Sequence, residues 1–399
     1  HGLRPAFPSM HAAGSFAVRE LRSALFFGDA LPGMADAIRP HEVPARTGRT
    51  VASWEPFGVV AGWHAANSPI WVPTLVALSA LVAGNAMIGR PSRRAARTTG
   101  AVLEAIATAW PDGAVSAAHV DPAGGEELIT HPGVGAVVAH ASTETCRRHL
   151  GLLADAYAHG VPLRPYIPEA SGNDAAVVLA GADLPAAARA IALGGFAHAG
   201  QLCMAAKRVI VDARVWDAFV PLVAAAVVQM VEEGGRQRGI QTGTPAGRQA
   251  AAAVADAQAH GGAFLVGGPP TDGHVVPALI ALDAARAPGT VLWRDEVFAP
   301  VRSIVACDGV DDAVRLANAS RYGLGAALFG GTAAERESFT RGVRAARVVV
   351  DEGPLYQDPH LVVGGVGDSG LAGARPKLEQ LVWAKRVHWA AGGPTTPRS

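Results

Sequence analysis

The chain has 399 residues, half of them hydrophobic and 17% charged, with 34 basic and 34 acidic side chains. That length exceeds one small core and implies two or three domains. A formal net charge of zero leaves no electrostatic footprint for nucleic acid or an anionic membrane, so neither is expected as a partner.

In chain order, a helical pattern over residues 11–29 gives way to a Pro/Gly-rich stretch reaching about residue 48. "RTGRTVASWEPFGVVAGWHAAN" then reads as strands, with a turn at Gly48 and a break at Pro56. The apolar run 69–88 contains Pro73, Ser79, Gly84 and Asn85, which suits a buried helix over 69–83 and not a membrane span. "NAMIGRPS" (85–92) is a short strand ending in a basic turn, and an amphipathic helix follows over 93–110. "VGAVVAHAS" (134–142) is a buried strand, with a helix over 144–159 after it. From residue 175 the alternation resumes with "AAVVLA", a helix over 185–198, "KRVIVD" and a long helix over 214–233. Strands near 301–306, 325–329 and 347–351 complete a second sheet. Alternating strands and helices predict parallel sheets covered on both faces, an α/β protein.

"GVGDSG" (365–370) satisfies G-x-G-x-x-G, but it opens no helix after a parallel strand and reads as a loop, not a pyrophosphate cradle. "GGPTTPRS" closes the chain as a frayed tail. No signal-peptide pattern is legible, and an opening on His1 rather than Met leads us to expect a native start upstream. Cys146, Cys203 and Cys307 cannot all pair and show no C-x-x-C spacing. Neither a disulfide framework nor a metal site is expected, and a reducing cytoplasm fits best. Taken alone, Cys203 in "GGFAHAGQLCMAAKRVIVD" (194–212) reads as a packed thiol.

Five segments change that reading: "PFGVVAGWHAANSPI" (56–70), "ALVAGNAMIGRPS" (80–92), "PEASGNDAAVVLAGADL" (168–184), "GQLCMAAKRVIV" (200–211) and "DEVFAPV" (295–301). Their order and spacing resemble the aldehyde dehydrogenase superfamily, NAD(P)-dependent enzymes, from about residue 50 to about 388. The resemblance implies a Rossmann-type cofactor domain over 1–169 with a bridging hairpin near 46–57. It further implies an α/β catalytic domain over 170–360 and a C-terminal bridging segment and tail over 361–399. In this family the bridging elements pair subunits, which implies a homodimer or homotetramer.

Carried over residue by residue, Cys203 matches the nucleophile and Glu169, 34 positions before it, the general base. Asn67 matches the oxyanion-stabilising asparagine. Glu296 and Phe298 match the residues that hold the nicotinamide ribose and ring. Arg90 stands where a lysine usually reaches the adenosine ribose; Ser92, Arg93 and Ser142 complete the cofactor set. These residue types suit the chemistry. A thiolate attacks an aldehyde carbonyl, fixed donors hold the oxyanion at roughly 3–4 kcal/mol each, and a carboxylate activates water to hydrolyse the thioester.

Several features depart from the family pattern. Ala141 and Cys146 in "AHASTETC" replace glycines, the stretch from Ser142 to Glu169 is a few residues longer, and "EASG" (169–172) replaces Glu-Leu-Gly-Gly. Apolar sequence around Val76 replaces a lysine, and the portion before residue 50 is short. "GRPSRRAAR" (89–97) puts Arg93 where NAD-preferring relatives often carry a carboxylate, so NADP is favoured, with NAD as the alternative. The substrate is then a small-molecule aldehyde. An acylating relative that works on an acyl thioester, or a degenerate scaffold without catalysis, are the rival readings. Substrate choice would lie with His198, Leu202, Met204 and Tyr356.

Overall fold

The computed structural model describes residues 16–111, 113–233, 240–356, 364–371, 373 and 377–391. The start of the expected first helix and the closing tail lie outside them. Helix α1 (Phe16–Met34) runs through Gly28 and Pro32, past the point where its breakers predict an end. Ala24, Phe27, Leu31 and Met34 form a buried stripe at helical spacing, and Phe27 meets Trp71 edge-on at 5.5 Å. Packing of that stripe outweighs the local cost of the breakers.

Strands β1 (His41–Val43) and β2 (Arg49–Pro56) follow, and Gly48 between them has φ +66°. The first α/β run is β3 (Val59–His64), α2 (Trp71–Val82), β4 (Ala86–Pro91), α3 (Ala96–Ala107) and β5 (Val115–Ala117). It continues through α4 (Pro122–Thr130), β6 (Ala136–His140), α5 (Thr143–Ala158) and β7 (Tyr166–Glu169). Its five strands pair in the order β5-β4-β3-β6-β7, all parallel.

The second run holds β8 (Asp174–Val178), α6 (Leu184–Phe196), β9 (Ala206–Asp212), α7 (Trp216–Glu233), β10 (Ile240–Gln241) and α8 (Pro245–Ala259). Next come β11 (Ala263–Val266), β12 (His274–Val275), β13 (Ala278–Ala281), α9 (Val291–Arg294), β14 (Val301–Cys307) and α10 (Gly309–Asn318). The chain then forms β15 (Tyr322–Gly323), β16 (Gly325–Phe329), α11 (Ala333–Gly342), β17 (Arg347–Val350), β18 (Val366–Gly367), α12 (Lys377–Gln380) and β19 (Val382–Trp389). Seven strands pair in the order β11-β13-β14-β9-β8-β16-β17, parallel except for edge strand β11. One face packs on α8, α10 and α11, the other on α6 and α7. Strands covered on both faces read as continuous apolar runs, which is why "KRVIVD" was legible. β11, β13 and α8 were not: "ALIA" is too short to assign by period, and the alanine-rich α8 shows little apolar stripe.

β19 pairs with β2 along its whole length, forming the three-stranded antiparallel sheet β1-β2-β19. The chain crosses from β7 to β8 in four residues, 170–173. That crossover sets the C-terminal end of one sheet's strands against the approach to β9, where Cys203 lies. "GVGDSG" clasps it: Ala170 N donates to Ser369 O at 2.9 Å, and Ser369 Oγ donates to Ser171 O at 2.6 Å. Asp368 also takes ion pairs from Arg147 and Arg321.

Candidate active site

Cys203 is delivered by a strained turn. After α6, His198, Ala199 and Gly200 are all left-handed, with φ of 53°, 55° and 67°, a conformation that costs non-glycine residues free energy and that clusters at functional sites. Fully buried Arg302 holds the turn in place. Its Nε donates to Gly195 O at 2.6 Å, one terminal nitrogen to Gly200 O at 3.1 Å, and the other to Ala299 O and Val301 O. A Cβ on Gly200 would stand 2.1 Å from that guanidinium, so glycine is required. Lys207 Nζ then donates to the carbonyls of Leu202 at 2.8 Å and Cys203 at 2.7 Å. On the crossover side a Cβ at Gly172 would meet Cys203 O at 2.4 Å, which explains the glycine that "EASG" keeps.

The thiol faces a carboxylate. Cys203 Sγ lies 3.9 Å from Glu169 Oε1, and Glu169 Oε2 lies 2.9 Å from His140 Nε2, both side chains being buried. Burial, and then the Glu169 charge, push the Cys203 thiol up, and nearby Lys207 only partly opposes them. The resting group is therefore a neutral thiol that needs a base. Burial also works against charge on Glu169, but facing His140, with Lys377 and Arg347, outweighs it and holds Glu169 below the usual carboxylate range. A base kept ionised beside a protonated nucleophile is the pairing that activation requires.

A cavity of about 1540 Å³ runs past these groups. Asn67, Glu169, Cys203, Glu296, Phe298, Ser92, Arg90 and Ser142 all line it. Asn67 follows β3 and makes no hydrogen bond among the described residues, leaving its amide free. Glu296 Oε1 accepts from Gly172 N at 3.1 Å and lies 3.5 Å from Lys207 Nζ. Ser142 caps α5 by accepting from Thr145 N at 3.2 Å, turning that helix N-terminus toward the cavity. Arg93 is exposed and lies outside the lining, whereas its neighbour Arg94 lines it. Arg90 is buried, stacks 4.2 Å from the Trp63 ring, and its Nε has no hydrogen-bond partner among the described residues. An orphaned cationic donor beside Ser92, Arg94 and a capped helix N-terminus suits the phosphates of a dinucleotide, so these residues fit a nicotinamide cofactor.

Sequence reasoning missed His140, Lys207, Lys377, Arg302 and buried His64. His140 ends the apolar run "AVVAH", and its meaning appears only through strand register, which sets it directly beside Glu169 on β7. His64, fully buried behind Gly62 and Gly89, has both ring nitrogens without a hydrogen-bond partner among the described residues, and burial lowers its pKa to about 3.

A half-buried thiol facing a buried carboxylate beside a dinucleotide-sized crevice defines a cysteine-dependent dehydrogenase. The aldehyde dehydrogenase family profile matches residues 13–382, and the chain belongs to that family: it is an NAD(P)-dependent aldehyde dehydrogenase. Benzaldehyde dehydrogenase [NAD(+)] of Pseudomonas putida is 29% identical over 377 residues, which are 92% of this chain and 72% of the relative. Succinate-semialdehyde dehydrogenase [NADP(+)] 1 of Mycobacterium ulcerans is 30% identical over 339 residues, 82% of this chain and 72% of that one. Among solved structures, a lactaldehyde dehydrogenase superposes with a TM-score of 0.83 at 21% identity, covering 93% of this chain and 79% of its own. The NADP complex of an NADP-dependent glyceraldehyde-3-phosphate dehydrogenase from Bacillus halodurans gives 0.81 at 23% identity, covering 94% and 80%. At those identities the two structures establish the fold.

Proposed function

We propose that the chain oxidises an aldehyde to the carboxylic acid through a thiohemiacetal and then a thioester on Cys203, with NADP preferred over NAD. The 3.9 Å approach of Cys203 Sγ to Glu169 Oε1 carries this reading. Glu169 takes the thiol proton as sulfur attacks the carbonyl carbon. The Asn67 amide and the Cys203 N–H are the donors for the oxyanion, each contributing roughly 3–4 kcal/mol in sites of this kind. The nicotinamide group, when bound, supplies the hydride acceptor. Glu169 releases that first proton to solvent, takes another from the water that attacks the thioester, and passes it to the departing Cys203 sulfur, which regenerates the thiol. A buried, ionised Glu169 supports water as the final acceptor rather than an external thiol.

Arg90, Ser92, Ser142 and Arg94 would hold the adenosine half of the cofactor, and Glu296 and Phe298 the nicotinamide half, with Arg93 off the cavity. Arg90 on β4 and Arg94 after it favour a 2′-phosphate, and the NADP-dependent relative supports the same preference. The three cysteines are free and none of the described helices is long and apolar enough to cross a membrane, which supports a cytoplasmic enzyme. Exposed Trp383 and Val387 on edge strand β19 support association into a homodimer or homotetramer.

The test is reduced-nicotinamide formation from a panel of aldehydes with NADP, with and without coenzyme A. Turnover without the thiol, and an acyl-enzyme trapped by Glu169→Gln and seen by mass spectrometry, are the expected results. Turnover that requires coenzyme A would make the enzyme acylating and remove Glu169 from the mechanism.

A further inference from the structure

Helix α1 brings charge to a part of the cavity that the reaction itself does not use. Arg19 and Arg22 are three residues apart and so share one helix face, and both line the cavity, next to Trp71, Val72 and Leu75 of α2. Arg19 is half-buried, and neither arginine has an ion pair or hydrogen bond among the described residues. A guanidinium drawn partly out of water without a counter-charge is unfavourable, and a bound anion offsets that cost. Burial is also the one influence on Arg19's proton affinity, which it lowers.

The carboxylate between them is not that counter-charge. Glu20 accepts from the Ser68 hydroxyl and from the backbone N–H groups of Ile70 and Trp71. These contacts fasten α1 to the segment directly after Asn67, so the stretch of helix that carries Arg19 stands next to the oxyanion donor. Glu352, another carboxylate of the lining, accepts from Gly353 N at 2.7 Å. The cofactor's phosphates have their own arginines, Arg90 on β4 and Arg94 just after it. The α2 side of the wall, Trp71, Val72 and Leu75, is apolar and aromatic, which strengthens a single ionic contact.

We propose that the substrate of this site is an aldehyde bearing an anionic group, carboxylate or phosphate, remote from the carbonyl, held by Arg19 with Arg22 at the rim. This rests on Cys203 being the nucleophile, since that fixes which end of the substrate faces inward.

The experiment measures kcat and KM with NADP for matched pairs, succinic semialdehyde against butanal and glyceraldehyde 3-phosphate against glyceraldehyde, in the wild type and in Arg19→Met. In the wild type, kcat/KM should favour the anionic member of at least one pair by about tenfold or more, and the responding pair identifies carboxylate or phosphate. Arg19→Met keeps the apolar stem and should lower that preference by about tenfold, through KM rather than kcat. Equal or better turnover of the neutral members, or a proportional loss on both members in the variant, would overturn the proposal. Absence of turnover with all four aldehydes would instead sink the underlying reading of Cys203. Calorimetry with succinate and with glycerol 3-phosphate then judges Arg19 independently: binding lost in Arg19→Met supports it, and no binding or equal binding rejects it.

Discussion

Around Cys203 the ionisable side chains answer one another, whereas Arg90 on β4 and Arg94 after it form no ion pair among the described residues. Glu169 meets His140 at 2.9 Å, and Lys207 holds two carbonyls and leans on Glu296. At the other end of the same cavity, the buried Nε of Arg90 has no partner and Arg94 is exposed. The reaction end is thus set by protein alone, while the cofactor end is completed by whatever anion arrives. Preorganisation is concentrated where charge develops during the reaction, and binding charge is left unsatisfied where affinity is wanted.

This contrast predicts that the two ends can be broken separately. Cys203→Ala should lower kcat by about ten-thousandfold or more, while NADP binding, followed by fluorescence titration, stays near the wild-type value. Loss of cofactor binding in that variant would mean that the ends are not independent. A smaller effect belongs to the basic turn. Arg94→Glu should raise KM for NADP by about tenfold or more and KM for NAD by less than about threefold. Arg93→Glu, whose side chain lies off the cavity, should change both by less than about threefold, and a larger effect there would return the phosphate contact to Arg93.

The smallest effect concerns the buried histidine beside the reaction end. His64 has a folded pKa of about 3 against an ordinary 6.5. As pH falls below that ordinary value, the unfolded chain takes up a proton that the folded one refuses. The stability present at neutral pH is therefore lost progressively from about 6.5 downward, by roughly 1.4 kcal/mol one pH unit lower. His64→Leu removes this linkage, so by scanning calorimetry its Tm should gain on the wild type between pH 7 and pH 5. A difference that stays constant over that range would show that His64 does not carry it.

How much of this was legible in the sequence follows from the range of the forces involved. Buried parallel strands announce themselves through continuous apolar runs, and β3, β4, β6, β8, β9, β14, β16 and β17 all lie where such runs predict them. Cys203 and Glu169 could be paired only through a resemblance, because nothing local joins residues 34 apart. His140 was missed because its contact is a matter of register between β6 and β7. Arg19 was missed because residues 11–29 show only a helical pattern, and packing on α2 is what brings this residue to the cavity. Arg93 and Arg94 are indistinguishable as letters; the turn that starts α3 decides which one reaches inward.

The clasp from "GVGDSG" has a consequence for the chain's synthesis. Ser369 closes on Ser171 across 198 positions, and β19 must return to β2 before the bridging sheet exists. From the synthesis of Cys203 until that of Ser369, a nascent chain therefore carries its thiol without the finished crossover that sets Glu169 against it. Until then Glu169 is not in place to take the thiol proton, and the burial and charge that raise the Cys203 thiol are absent as well. The paired thiol and base therefore come last, when the C-terminal loop has been made and docked.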